Sequence, residues 1–369
     1  PKLIATAEPS LKPPPDPLLR KEGVRGRFQR PNQALLPKPH AGCLIARGRV
    51  PSVAAMTAPP RPQSTYARFA WAVLGFNLFV IAWGAFVRAT GSGAGCGSHW
   101  PLCNGEIVPR APAIATIVEF GHRLTSGVAL LLVVALVVGA WRRWPSGSPV
   151  RRAAAWSGFL MLTEALIGAG LVLLEYVADD TRVARGWWVG GHLVNTFFLV
   201  AALTLTAWYA SGGSPPHWRR SGWLGAGLAA SLSGVLLLGV SGAVTALGDT
   251  LFPVATLAEG KAQTFSDSAH LFVRLRIWHP TLAVAVGLLV AAVVGLALRS
   301  DRGPVVRAAA IAALGLYAVQ LAIGAVNVRL LAPVPMQLVH LLLSDALWIA
   351  LIILTCAALA PPRATAAHA

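Results

Sequence analysis

The sequence predicts an all-α integral membrane protein, with eight transmembrane helices in two pseudo-symmetric four-helix bundles and both the N and C termini cytoplasmic. Three observations predict it. The 369 residues are 55% hydrophobic and 12% charged, and the apolar residues gather in runs of about 20, long enough to cross a bilayer. Lys and Arg collect in alternate short connections between these runs. The first four runs also resemble the last four. The formal charge of +17 would by itself suggest a nucleic-acid partner. Its confinement to those connections and to the N-terminal tail makes it a topology signal instead, and no nucleic acid is expected.

Taken in chain order, residues 1–65 form a basic, Pro-rich tail without hydrophobic periodicity, a composition that predicts disorder. The chain begins at Pro1, and Met56 stands just ahead of the first apolar run, which predicts Met56 as the natural start. No apolar h-region with a small-residue cleavage site marks the tail as a signal peptide. The predicted spans are 67–88, 114–140, 153–176, 187–209, 222–245, 277–298, 308–330 and 336–359. An N-terminal bundle then covers 66–210, a C-terminal bundle 211–360, and a short cytoplasmic tail 361–369.

The connections after the second, fourth and sixth spans carry Arg142, Arg143, Arg151 and Arg152, then Arg219 and Arg220, then Arg299, Arg302 and Arg307. The positive-inside rule assigns these to the cytoplasm. The other connections mix signs, with Glu106, Asp179, Asp180, Asp249, Glu259 and Asp267 among a few arginines, as an outer face would. Repetition is visible in Glu164-Ala165-Leu166-Ile167-Gly168-Ala169 against Gln320-Leu321-Ala322-Ile323-Gly324-Ala325. Gly84-Ala85 of span one is matched by Gly242-Ala243 of span five. These strings predict a duplicated four-helix unit.

The histidines carry the chemistry. His122, His192, His279 and His340 fall in spans two, four, six and eight, each a few residues inside the start. With 1.5 Å of rise per residue they lie roughly 6–13 Å below the outer boundary, paired two and two. Intramembrane histidine is a functional-site signal, and iron porphyrins take axial imidazoles inside apolar bundles. A zinc or copper site would need further ligands, and no His/Cys/Asp cluster supplies them. The plain alternative is that each histidine is a satisfied polar residue bonding across helices.

The loop Gly91-Ser92-Gly93-Ala94-Gly95-Cys96-Gly97-Ser98-His99-Trp100-Pro101-Leu102-Cys103-Asn104-Gly105 places two cysteines on the outer face, where a disulfide can persist. A staple and a redox-active pair both fit it. Glu119 lies three residues before His122 and shares its helix face, placed either to move protons or to pair with Arg123. Arg88 and Arg123 are candidate contacts for porphyrin propionates, or snorkel. Glu164 lies deeper, and its repeat counterpart is the neutral Gln320; a proton path is one reading of it.

This loop, followed by Glu119-Phe120-Gly121-His122-Arg123, resembles the haem A synthase family over about residues 66–359. The resemblance implies an oxidoreductase of the bacterial cytoplasmic membrane, multi-pass, with its haem sites near the extracytoplasmic face. It would oxidise the C8 methyl of haem O to the formyl group of haem A by successive hydroxylation with water-derived oxygen, supplying haem-copper terminal oxidases. It implies Glu119 as the essential acid, His122 and His192 as ligands of substrate haem O, and His279 and His340 as ligands of a haem b cofactor. Cys96 and Cys103 become the disulfide. Implied partners are haem O delivered by haem O synthase, an unidentified electron acceptor, the lipid bilayer and a second copy of the chain. The resemblance has two departures: residues 246–276 hold no second cysteine pair, and His279 is followed by Pro280 where a basic residue would mirror Arg123. A bis-histidine cytochrome b carrying electrons, or a haem transporter or chaperone, are the alternatives; a symmetric carrier has no need of Glu119. The outer segment 247–276 is expected to form a lid or short amphipathic helix.

Overall fold

The computed structural model describes residues 64–300 and 302–361. The expectations for the tail, for Met56 and for most of 361–369 lie outside the described residues. Eight helices are long and apolar enough to cross a membrane, and the chain is an all-α, eight-span membrane protein. They are α1 (Ser64–Ala89), α2 (Ile114–Arg143), α3 (Pro149–Leu173), α4 (Val183–Ala210), α5 (Gly222–Leu251), α8 (Trp278–Arg299), α9 (Pro304–Arg329) and α10 (Val334–Ala358). Two short helices, α6 (Leu257–Thr264) and α7 (Leu271–Arg274), lie between α5 and α8.

Helix starts follow local chemistry. Ser148 caps α3 by accepting the Arg151 N–H, and Pro149 occupies the first turn, where its missing N–H costs nothing. Pro304 starts α9 after Gly303, whose φ of 94° suits glycine. Several helices run a turn beyond the predicted spans, α5 to Leu251 for example. Hydropathy reports only the apolar stretch, while backbone hydrogen bonding continues into polar flanks. Pro280, near the start of α8, cannot donate to the preceding turn, and a 3-10 turn over Leu275–Ile277 joins α7 to α8 there.

Helices α1, α2, α3 and α4 each pack on the next, and α4 returns to α1. Helices α5, α8, α9 and α10 form the same closed ring, α10 returning to α5. The rings touch through α4 on α5, α10 on α1, α4 on α10 and α1 on α5. Exchanging α1 with α5 and α4 with α10 maps this contact set onto itself, the signature of a pseudo-twofold relation between the halves.

The dry core runs along that seam and down to the basic ends of the helices. It joins Phe197, Val200 and Leu203 of α4 to Leu347, Leu351 and Leu354 of α10. Polar tips within it find main-chain acceptors: Tyr66 Oη donates to Leu136 O (2.7 Å), Tyr317 Oη to Ala283 O (2.8 Å), and Trp348 Nε1 to Phe197 O (2.8 Å). The outer faces expose Leu131, Trp156, Leu162, Trp223 and Leu288, as helices that meet lipid rather than water do.

Candidate functional site

The four histidines lie toward the end of the bundle that carries the cysteine loop. Even-numbered members of each ring enter from that end and odd-numbered members finish there. His122, His192 and His340 are six to nine residues inside α2, α4 and α10, and His279 lies eight residues past Leu271. That places them about 9–14 Å from the helix starts.

Each imidazole rests on a glycine of the preceding helix in its ring. A Cβ on Gly84 would come within 2.9 Å of His122 Cε1, one on Gly242 within 2.8 Å of His279 Cε1, and one on Gly324 within 3.1 Å of His340 Cε1. Gly168 seats His192 more loosely, at 3.9 Å. The repeated Gly-Ala pairs are therefore histidine seats. The sequence showed them as repeat markers; their partner is visible only when the helices are brought together.

His279 and His340 stand with ring centroids 6.3 Å apart and planes at 79°. His122 of α2 and His192 of α4 belong to helices of the same ring. The rings have few protein partners. Nδ1 of His122, of His192 and of His340 is buried without a hydrogen bond, and His279 Nδ1 meets only Ser241 Oγ at 3.0 Å. Three of the four rings therefore lack at Nδ1 the cross-helix hydrogen bond that a satisfied core histidine makes; His279 has one, to Ser241.

Glu119 is buried beneath the cysteine loop. Its Oε2 accepts the Cys96 N–H (2.8 Å), and its Oε1 meets Arg123 Nη2 (2.6 Å). Arg123 Nη1 turns the other way and donates to the carbonyls of His99 (2.6 Å) and Leu102 (2.5 Å). Acid and base of the Glu-x-x-His-Arg string thus clasp both sides of the loop, which the Cys96–Cys103 disulfide closes. Thr116 Oγ1 adds a hydrogen bond to Gly95 O, and Gly95 packs too tightly on the α2 start to carry a side chain. These arginine contacts face the loop. The Glu119–Arg123 pair is one of the alternatives that spacing left open; the contacts to His99 and Leu102 depend on how the loop folds back.

Arg88, the other candidate, leaves its own half. From the end of α1 it donates to Ala246 O and Thr250 Oγ1 of α5 (both 2.9 Å) and to Gln337 Oε1 of α10 (2.8 Å). Near it, Arg276 pairs with Asp249 (2.7 Å) and donates to Gly248 O, Phe252 O and Gln263 Oε1. This ties α6 to the end of α5. The segment 247–276 runs from the end of α5 through α6 and α7, and α6 is capped at its start: Thr256 Oγ1 accepts Glu259 N–H and Glu259 Oε2 accepts Ala255 N–H.

Glu164 of α3 sits beside His192. Its Oε1 is 3.5 Å from His192 Nδ1 and 2.5 Å from Thr196 Oγ1, and its Oε2 accepts Asn195 Nδ2. Gln320, its counterpart on α9, donates to His340 O at 2.9 Å. Among the described residues no cluster of three or more His, Cys, Asp or Glu side chains could hold a bare metal ion. Cys356 is free and buried in α10.

The chain is 49% identical over 296 residues to proteins from two Thermus thermophilus strains named Protoheme IX farnesyltransferase, covering 80% of this chain and 49% of each relative. It is 42% identical over 96 residues to a Heme A synthase of Shouchella clausii (26% of this chain, 32% of the relative). A Bacillus cereus Heme A synthase is 44% identical over 96 residues (26% and 31%). The chain thus spans about half the length of the first of these curated relatives. The COX15-CtaA family model, described as Cytochrome oxidase assembly protein, matches residues 67–352, all eight spans but for their outermost residues. The chain belongs to that family.

Proposed function

We propose that this chain oxidises the C8 methyl of haem O to the formyl group of haem A. One observation carries the reading: four imidazoles each lie on a glycine of the preceding helix with few protein partners, and two of them, His279 and His340, face each other with centroids 6.3 Å apart. Two imidazoles bonded at about 2.0 Å to one atom between them have centroids roughly 6 Å apart, which fits the His279–His340 pair. The residues present therefore fit iron porphyrins. His122 and His192 would hold substrate haem O in the N-terminal half, 66–210, and His279 and His340 a haem b in the C-terminal half, 211–360. When bound, the haem b supplies the electron-accepting chemistry.

The chain's own residues supply position and proton handling. Glycine seats fix the planes of the imidazoles. Glu119, on the face of α2 that bears His122, is an acid held in place by the Cys96 N–H and Arg123, suited to hold a proton beside the oxidised carbon. The disulfide loop covers this carboxylate and keeps bulk water from it. The basic connections support cytoplasmic termini and an extracytoplasmic haem side, in a plasma membrane.

The Thermus relatives support a second reading, farnesyl transfer to protohaem. Their names describe proteins about twice as long as the part matched here, so the two names are reconciled if those relatives unite consecutive steps and this chain corresponds to the later one. Haem O is then received from a farnesyltransferase, linked or separate. The test is co-expression with a haem O synthase in a host lacking haem A, followed by haem extraction and mass identification. Haem A, or its hydroxylated precursor, supports the oxidase reading. Haem O formed from protohaem by this chain alone supports the transferase, and haem O left unchanged overturns the first reading.

A further inference from the structure

The four histidines differ in what stands behind them. His279 has a serine hydroxyl at Nδ1, and the Nδ1 atoms of His122, His192 and His340 make no hydrogen bond. His192 alone has a carboxylate there, Glu164 Oε1 at 3.5 Å. That carboxylate is held by two donors, one of them itself held in place. Asn195 Nδ2 donates to Oε2 and also to Leu160 O (2.9 Å), while Thr163 Oγ1 donates to Asn195 Oδ1 (2.7 Å). Thr196 Oγ1, one turn after His192 on α4, meets Oε1. The repeat-related site has no equivalent: Gln320 replaces Glu164, Leu343 stands at the place of Asn195, and Gln320 Oε1 is left unpartnered.

We propose that Glu164 is a positioning residue for His192. Its Oε1, 3.5 Å from Nδ1, draws the imidazole proton to that nitrogen, sets the tautomer that presents Nε2 to the substrate's iron, and makes this imidazole the strongest electron donor of the four. The inference rests on the haem-ligand reading given above. A carboxylate behind a ligating histidine fixes its ring and raises its basicity, and here the carboxylate occurs only in the half assigned to substrate. The asymmetry gives two otherwise matched sites different potentials, the substrate's iron being the harder to reduce. A neutral amide at 320 leaves the other site to receive electrons.

The test uses the full chain, purified and loaded with haem, with potentiometric titration of each centre and the ferric low-spin resonance signals. Glu164→Gln should keep both haems and shift the midpoint of the His122–His192 centre upward, leaving the other centre unmoved. Thr196→Val, which takes a hydroxyl from Oε1 and leaves more negative charge facing Nδ1, should shift the same midpoint downward; it serves also if Glu164→Gln fails to assemble. A merely structural carboxylate would not give shifts of opposite sign confined to one centre. Both variants holding haem with unshifted potentials would overturn the proposal. His192→Ala run in parallel separates the levels: an unaltered spectrum there overturns the ligand reading itself, whereas a lost signal there with unmoved Glu164→Gln potentials overturns only the role of Glu164.

Discussion

Arg88, at the end of the first helix, donates a 2.8 Å hydrogen bond to Gln337, in the first turn of the last. The same guanidinium reaches Ala246 and Thr250 on the fifth span. One side chain therefore joins the two rings at the end where the histidines lie. Gln337 is itself tied to Ala332 O through Nε2 (2.6 Å), so its amide is oriented to accept.

Arg88→Ala should weaken the joint between halves, not the rings themselves. Charged hydrogen bonds contribute about 1.5–3 kcal/mol each, and the loss is partly offset by water reaching the freed acceptors. The expected result is a melting temperature several degrees lower, with the absorbance of any bound haem preserved before unfolding. Differential scanning fluorimetry in detergent, followed beside the Soret band, checks it.

The glycine seats should fail in order of their clearance. Gly242→Ala and Gly84→Ala place a methyl within 3 Å of an imidazole carbon, Gly324→Ala at 3.1 Å, and Gly168→Ala at 3.9 Å. Overpacking of this kind costs about 1–3 kcal/mol. Haem per polypeptide, read by pyridine haemochrome, should fall most for the first two and stay near wild type for Gly168→Ala.

Glu119 offers a two-variant test. Glu119→Gln keeps an acceptor for the Cys96 N–H but cannot carry a proton as a carboxylate does; Glu119→Ala removes both. An acid essential to the reaction predicts that both variants retain haem and accumulate haem O or a hydroxylated intermediate. If the residue only anchors the loop, Glu119→Gln should produce haem A at close to the wild-type rate. Mass analysis of extracted haems distinguishes them.

The Cys96–Cys103 bond closes a short loop, seven residues apart in sequence. Chain-entropy arguments give about 2.5 kcal/mol for a ring of that size. Cys96→Ser should therefore melt earlier by a few degrees under oxidising conditions, and wild type should match it once reduced. Two melting curves, with and without reductant, settle the comparison.

Replacing His279 or His340 should remove one haem signal and spare the other, because the two pairs belong to separate rings. Difference spectra of His279→Ala and His122→Ala should be complementary. Loss of both signals in either variant would contradict independent sites.

Much of the architecture is legible in the residues. Membrane spans announce themselves through hydropathy because lipid demands continuous apolar length and internal backbone bonding. The four histidines stand out because a polar ring is expensive at that depth. What the linear chain conceals is contact between distant elements. Gly84 and Gly242 look like packing residues until His122 and His279 are laid on them. Arg123 shows its pairing with Glu119 in the spacing but not its contacts to His99 and Leu102, and Arg88 gives no hint that its partners are some 160 and 250 positions away. Glu164 was visible as an anomaly, but its neighbour His192 sits on another helix. The Thr256 cap and the proline starts at 149 and 304 are local signals that the hydropathy spans did not use, and they define the ends that hydropathy blurs.

The clasp formed by Glu119 has a mechanical corollary. A single carboxylate grips the crosslinked surface loop at Cys96 while sharing a helix face with His122. Crosslink and buried acid are thereby one lever, and whatever cuts the crosslink slackens the acid's footing without any relay between them.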